Sequence, residues 1–523
     1  MLYNTMCHPL VICAARRTLE NKPKGENPMV RLEKIVLDNL RLEPEKPCLW
    51  WEGKWWTNGD LLRLTEESTK VMEKGGFRAG YRLAVLLPNS PLVLALSLSA
   101  WNLGGAISPL NAKSGLPSLM GTLDLVEPCA VVVAPGLDEL KTALEEQDVP
   151  VVVAESLSAA LPPFTVKETS PEDDSLAVIF ATSGTTGMPK AVPLTHGNLL
   201  DNSLMMYDAL ELLQDGDILL NVLPNFHSFG YTVAGLMPLV KKLRQTLVAS
   251  FLPPVETMKI IHDSGTNVIV AVPTMLYFMT VAASKGAPMP VSLRMIVTGG
   301  DRLNVQLDGK VKEVFGVGII EGYGLTECSP VVAVNRNYKD RRIGTVGPVV
   351  NGYEWKLLND KNEDVTASAE GVLWVKGPSV TSGYFRDPVM TADRFVDGWF
   401  NTGDYVRMEG GFVRILDRVT DIIIVGGFNV YPQEVETVIK ELPGIREAVV
   451  IGVENPVSGE VPVAFIIREE GAELEAGTVI SHCKEKMAHF KVPRKVQFVT
   501  ELPLSAVGKV LKRKLREQMV RER

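Results

Sequence analysis

The sequence predicts an α/β fold: parallel α/β units followed by a smaller antiparallel β element. Three observations carry that reading. Short β-branched runs such as LAVLL, AVVVA, LAVIFA, NVIVAV and RMIVTGG alternate with helical segments, and several end in turn residues. Apolar runs of this length look like strands buried on both faces, which requires helices on both sides of a parallel sheet. After about Val350 the texture changes to hairpin-like pieces, YEWKLLND, GVLWVKG and GFVRIL, which suit a smaller antiparallel element. Finally, 523 residues leave room for roughly three or four domain-sized units. In open α/β sheets ligands bind beyond the carboxyl ends of strands, so the loops that follow these runs are where chemistry is expected.

Composition excludes several classes. Hydrophobic residues make up 46%, charged residues 22% and aromatics 7%, ordinary for a globular enzyme and far from disordered, collagen-like or disulfide-rich chains. The net charge of −8, with no long run of one sign, argues against a nucleic-acid partner. Only the tail from Lys484 to Arg523 is locally basic, with twelve Lys or Arg against four Glu. A solvated helix face accounts for it, and an acidic partner would also suit it.

Cys7, Cys13, Cys48, Cys129, Cys328 and Cys483 form no CxxC pair and no zinc spacing, so reduced thiols and a cytoplasmic setting are expected. MLYNTMCHPLVICAARR has no Lys or Arg ahead of its apolar stretch, unlike a signal peptide. Residues 1–28 are therefore read as a poorly ordered extension. PLVLALSLSAWNLGGAISPL, from Pro91, is long enough to span a membrane, but Asn102, Gly104, Gly105 and several serines interrupt it. A buried helix is the better reading, with no integral span, while peripheral membrane contact stays open.

The densest local signal is TSGTTGMPK, Thr182 to Lys190, placed after the strand LAVIFA and ahead of a helix that starts near Thr195. Gly184 and Gly187 let the backbone turn its N–H groups inward. Thr182, Ser183, Thr185 and Thr186 add hydroxyls, and Lys190 adds charge. That is a cradle for phosphate oxygens. The GxxGxxK spacing is not that of a P-loop, because no Ser or Thr follows the lysine.

EGYGLTECSP, Glu321 to Pro330, sets an aromatic ring, a hydroxyl and a carboxylate within five residues: Tyr323 can stack on a purine, Thr326 can bond phosphate, and Glu327 can ligate Mg2+. Further motifs are VTGGDRL, GWFNTGDYV, ILDRVTDIIIVGGFNVYPQEVE and, near the C-terminus, PLSAVGKVLKRKL.

Taken in this order, the motifs resemble those of the adenylate-forming superfamily of acyl-CoA synthetases, nonribosomal adenylation domains and luciferases, over nearly the whole chain from about Met29. The resemblance implies a large N-terminal domain of parallel α/β subdomains plus a small β element over 29–417, a hinge over 418–421 and a smaller, mobile α+β C-terminal domain over 422–523. It gives ATP contacts to Thr182 through Gly187 and Lys190, to Gly299, Gly300 and Asp301 at the adenine, to Glu321, Gly322, Tyr323, Gly324 and Thr326, and to Asp404 and Arg418 at the ribose. Thr186, Glu327 and Lys509 become catalytic, with Glu327 on Mg2+ and Lys509 bridging the carboxylate substrate and the α-phosphate. Thr420 stands at the pivot, where Asp or Lys is usual. Asp417 replaces a common glycine, and Asp301–Arg302 stand where many relatives have Ala-Pro.

The same resemblance assigns Gly426, Gly427 and Phe428 to a pantetheine tunnel, and Phe226 and His227 of NFHSFG to an acyl pocket. His227 could equally be a satisfied structural histidine. No acidic residue offers itself to an amino-acid substrate, so the expected reaction joins a medium- or long-chain fatty acid to ATP and then to the thiol of CoA. Holo acyl carrier protein is the alternative acceptor, and another carboxylate the alternative acid. A luciferase-type oxygenase and a non-catalytic acyl- or nucleotide-binding protein are the readings from other classes.

Overall fold

The computed structural model describes residues 31–173, 175–183, 189–426, 428–456, 458–504 and 510–521. Four sheets organise them. The first has six strands in the spatial order Val151–Val153, Ala130–Val133, Arg82–Leu86, Ala106–Pro109, Leu176–Ser183 (β1) and Pro189–Thr195 (β2). Every neighbouring pair in it is parallel except the last. The structure here corrects the expectation from sequence. The TSGTTGMPK loop leads from β1 into the antiparallel β2, with Thr182 opposite Lys190, and only then does the helix begin. KAVPLT is too short for its own periodicity to announce a strand; pairing with β1 makes it one.

Helix α1 (Pro91–Asn102) is buried along its whole length apart from Asn102. That explains why PLVLALSLSAWN is apolar all round: it fills a core rather than a bilayer. Helix α2 (His196–Ala209) starts on a capping box in which Thr195 Oγ1 accepts the Asn198 N–H and Asn198 Oδ1 accepts the Thr195 N–H.

The second sheet has eight strands, with a parallel centre and an antiparallel hairpin at each edge. Two of its strands are β3 (Met295–Thr298) and β4 (Ile320–Gly324). The third sheet is antiparallel and contains the long hairpin β5 (Trp399–Glu409) and β6 (Phe412–Arg418). The fourth sheet lies between residues 423 and 498, carries its own apolar core, and packs helices α3 (Pro432–Ile439) and α4 (Lys512–Arg521).

Candidate functional site

Strand ends from three sheets converge on one polar surface. Asp404 and Arg418 are directly opposed residues of the β5–β6 hairpin, so the pair is set by strand register. Arg418 Nε lies 2.7 Å from Asp404 Oδ1, and the Tyr323 hydroxyl from the end of β4 donates to Asp404 Oδ2. Asp404 is 3% exposed, and its backbone N–H goes to Thr402 Oγ1. Burial, and the Asp404 charge, push the Tyr323 phenol well above its ordinary range, so it stays a donor; Asp404 in turn holds Arg418 charged.

The turn after β4 is sterically exacting. A Cβ on Gly324 would lie 2.2 Å from the Pro330 carbonyl oxygen, so no side chain fits. Asn202 of α2 locks the same turn: its amide donates to the Cys328 and Val331 carbonyls and accepts the Val331 N–H. Thr326 and Glu327 are thereby presented in a single 3-10 turn, both nearly buried. Thr326 Oγ1 is 3.1 Å from Ser228 Oγ, and Glu327 Oε1 accepts a 2.8 Å bond from the Tyr384 hydroxyl.

Tyr384 arrives from a segment whose Phe385 N–H bonds the Ala191 carbonyl of β2 and whose Thr381 N–H bonds the Glu327 carbonyl. Lys190 on β2 stands 5.0 Å from the centre of the Tyr384 ring. Burial lowers the Lys190 pKa, opposed by Glu327 and seconded by Arg394 and Arg418. The arrangement is a carboxylate and an ammonium around one aromatic ring, with the Asp404–Arg418 charges near enough to act on Lys190 through Arg418.

Glu327 suits Mg2+ by donor chemistry, since that ion is commonly held by one or two carboxylates with phosphate oxygens completing its shell. No group of three or more His, Cys, Asp or Glu able to hold a metal occurs among the described residues.

Glu321 is 7% exposed; burial raises its carboxyl to about 7, and it accepts the Leu303 N–H. Gly299 closes a narrow slot, because a Cβ there would be 3.1 Å from the Gly322 carbonyl and 3.5 Å from the Phe229 ring. Gly300 follows in the left-handed region, and Asp301 is exposed. Phe226 and His227 are half-buried, and His227 Nδ1 accepts the Phe229 N–H. Behind them Phe229–Leu236 forms a π-helix, an uncommon geometry often found at functional sites.

In the C-terminal region, Gly426 also has a positive φ, Phe428 is 59% exposed and stacks on Phe490, and Thr420 is exposed in a 3-10 turn. Gly184, Thr185, Thr186, Gly187, Gly427 and Lys509 lie outside the described residues, as do residues 1–28; Ser183 is described only as the end of β1.

The motifs do not pick out Tyr384, Ser228 or Phe229. Tyr384 sits in SGYFRDP with no local signature, and only the long-range pairing with Glu327 singles it out. Ser228 and Phe229 directly follow Phe226 and His227, so NFHSFG held the signal.

Residues 37–385 match the AMP-binding enzyme family, and residues 434–509 match the C-terminal domain of AMP-binding enzymes. The chain belongs to this family. Within it, this AMP-binding enzyme is 31% identical to a long-chain-fatty-acid–CoA ligase of Bacillus subtilis (strain 168), over 94% of this chain and 95% of that one. It is 30% identical to a feruloyl-CoA synthase of an Amycolatopsis species, over 91% and 97%. Its backbone superposes on ATP-bound MatB of Rhodopseudomonas palustris with a TM-score of 0.84 at 30% identity, covering 93% and 98% of the two chains; apo MatB gives 0.73. The AMP-binding enzyme described here is thus an adenylate-forming ligase of the acyl-CoA type, with ATP and CoA as the family's substrates.

Proposed function

We propose that this enzyme activates a medium- or long-chain fatty acid to acyl-AMP with release of pyrophosphate, then transfers the acyl group to the thiol of CoA. The observation that carries the acid is the segment behind His227. Phe229–Leu236 carries no charged residue, and all of it but Phe229 is buried, so no charge stands on that side of His227 to meet a polar acid. The fatty-acid ligase name of one relative supports it, and the feruloyl-CoA synthase name of another keeps an aryl acid as the second reading.

Under this proposal Asp404 and Arg418 hold the ribose hydroxyls and Tyr323 covers the adenine, while Gly299, Gly300, Asp301, Glu321, Gly322 and Gly324 shape its pocket. Thr182, Ser183, Gly184, Thr185, Thr186, Gly187 and Lys190 cradle the phosphates, with Thr326 on a phosphate oxygen. Glu327 holds Mg2+, which neutralises phosphate charge. Lys509 stands between the two anions that must meet, and stabilising the developing charge in this way is usually the main source of acceleration in such a displacement. No enzyme nucleophile is needed: the carboxylate attacks the α-phosphorus, pyrophosphate leaves, and the thiolate later displaces AMP from the mixed anhydride.

Phe226 and His227 line the acyl entrance; Gly426, Gly427 and Phe428 line the pantetheine path; and 418–421, including Thr420, is the hinge between domains 29–417 and 422–523. A cytoplasmic setting fits a consumer of ATP and CoA, and no described helix is long and apolar enough to cross a membrane. Acyl carrier protein is the alternative acceptor.

The test is pyrophosphate release from ATP across acetate to palmitate, ferulate, benzoate and amino acids, with CoA or holo acyl carrier protein. Turnover rising with fatty chain length and requiring CoA supports the proposal. Preference for ferulate, or for the carrier protein, replaces the corresponding half of it.

A further inference from the structure

Two residues of the large region grip one residue of the small region. Gln433, the second residue of α3, donates its backbone N–H to Asp417 Oδ2 at the end of β6 (3.2 Å). Its backbone carbonyl accepts from Arg302 Nη1, in the loop after β3 (3.1 Å). An N–H in the first helical turn has no partner within its own helix, so Asp417 supplies from outside what a cap residue would supply from within. Tyr431, at the N-cap position, makes no side-chain cap bond, which leaves that role to Asp417. A carboxylate at this end of a helix also meets the positive end of its dipole.

The grip is reinforced from behind. Asp417 is 2% exposed and its Oδ1 accepts the Arg418 N–H; burial raises its carboxyl to about 6, opposed by the charge of Lys512, the first residue of α4, and seconded by Glu436. Lys512 Nζ is 3.2 Å from Glu436 on α3, whose Oε1 also accepts the Val450 N–H. The arrangement in which Arg302 and Asp417 meet at Gln433 superposes better on ATP-bound than on apo MatB, 0.84 against 0.73.

We propose that Arg302 and Asp417 are positioning residues that clamp Gln433 and so hold the region after the hinge against the nucleotide face for the adenylation step. The inference rests on the adenylating activity proposed above, not on which acid is used. Neither residue is among those assigned to ATP, acid or thiol. Losing the clamp therefore leaves the pockets intact and shifts the balance between the two half-reactions.

The experiment uses the full chain with Arg302→Met, Arg302→Lys and Asp417→Asn. Arg302 is exposed, so the methionine variant should fold normally. It is expected to lower acid-dependent pyrophosphate release about tenfold, the loss of one hydrogen bond from a charged donor. Conversion of preformed acyl-adenylate to thioester by CoA should change less than about twofold. Arg302→Lys keeps a donor and should recover much of the first rate. Asp417→Asn keeps an acceptor but removes the charge facing Lys512, and should fall between.

Amide hydrogen exchange of the 432–439 segment, with ATP alone as the probe, should be slow in the parent and faster in Arg302→Met. Equal loss in both half-reactions would indicate a merely structural role and overturn the clamp, as would unchanged exchange. If no acid in the panel supports pyrophosphate release by the parent protein, the functional reading fails by itself, and the exchange measurement with ATP still decides the clamp.

Discussion

The Tyr323–Asp404–Arg418 cluster and the Arg302–Gln433–Asp417 clamp are built from the same kinds of bond, yet they have different mechanical characters. In the first, a strand register places Asp404 opposite Arg418, and a buried phenol closes the triad. The backbone register of Asp404 and Arg418 is held by the hairpin ladder itself. In the second, a loop and a strand end each make a single hydrogen bond to one helical residue, and Arg302 is open to water. Solvent screens and competes for the Arg302 bond, while the Asp417 bond is sheltered by burial. Under the proposed function, ladder-held geometry suits the place where charge must be met, and single hydrogen bonds suit a contact that is made for one half-reaction and released for the other.

The predictions probe that contrast in decreasing order of effect. Asp404→Ala leaves Arg418 and Tyr323 facing a void, and ATP–pyrophosphate exchange should fall on the order of a hundredfold or more. An Asp404→Ala enzyme with near-parental exchange would show that the triad is structural furniture. Glu327→Gln keeps the Tyr384 bond but removes the charge; the Mg2+ concentration for half-maximal turnover should rise about tenfold or more.

Glu321→Gln separates stability from chemistry. The folded-state pKa of Glu321, about 7, lies above the ordinary 4.5, so the native state binds this proton more tightly than the unfolded chain does. The stabilisation is complete below pH 4.5 and is lost as pH rises through 7. Urea melts should show the parent losing about 3 kcal/mol across that window relative to the variant, in which every other titrating group is retained and only this contribution is missing. Tyr384→Phe should do least: one hydrogen bond to Glu327, about 1–2 kcal/mol, seen as a several-fold fall in turnover with little change in melting. If Tyr384→Phe matched Glu327→Gln, the ring would be orienting the carboxylate more tightly than a single bond implies.

Much of the molecule was legible in the chain itself. The buried strands, the α1 core helix and the α2 start at Thr195 follow from apolar runs and a capping box, which are local properties. Tyr323, Thr326 and Glu327 lie within five residues, so their proximity is covalent before it is structural. The strand β2 was not legible, because seven residues of mixed character become a strand only when β1 is alongside.

What lay beyond the sequence is everything that depends on two distant segments meeting. Glu327 and Tyr384 are 57 residues apart, and Arg302 and Gln433 are 131 apart. Hydroxyls, carboxylates and guanidinium groups carry no periodicity that names their partners, whereas apolar residues announce a buried face every second or every third to fourth position. Residue chemistry therefore marked the family and the nucleotide motifs, while partner choice, the buried state of Glu321 and the clamp on Gln433 were set by packing, where burial changes what each charge must find.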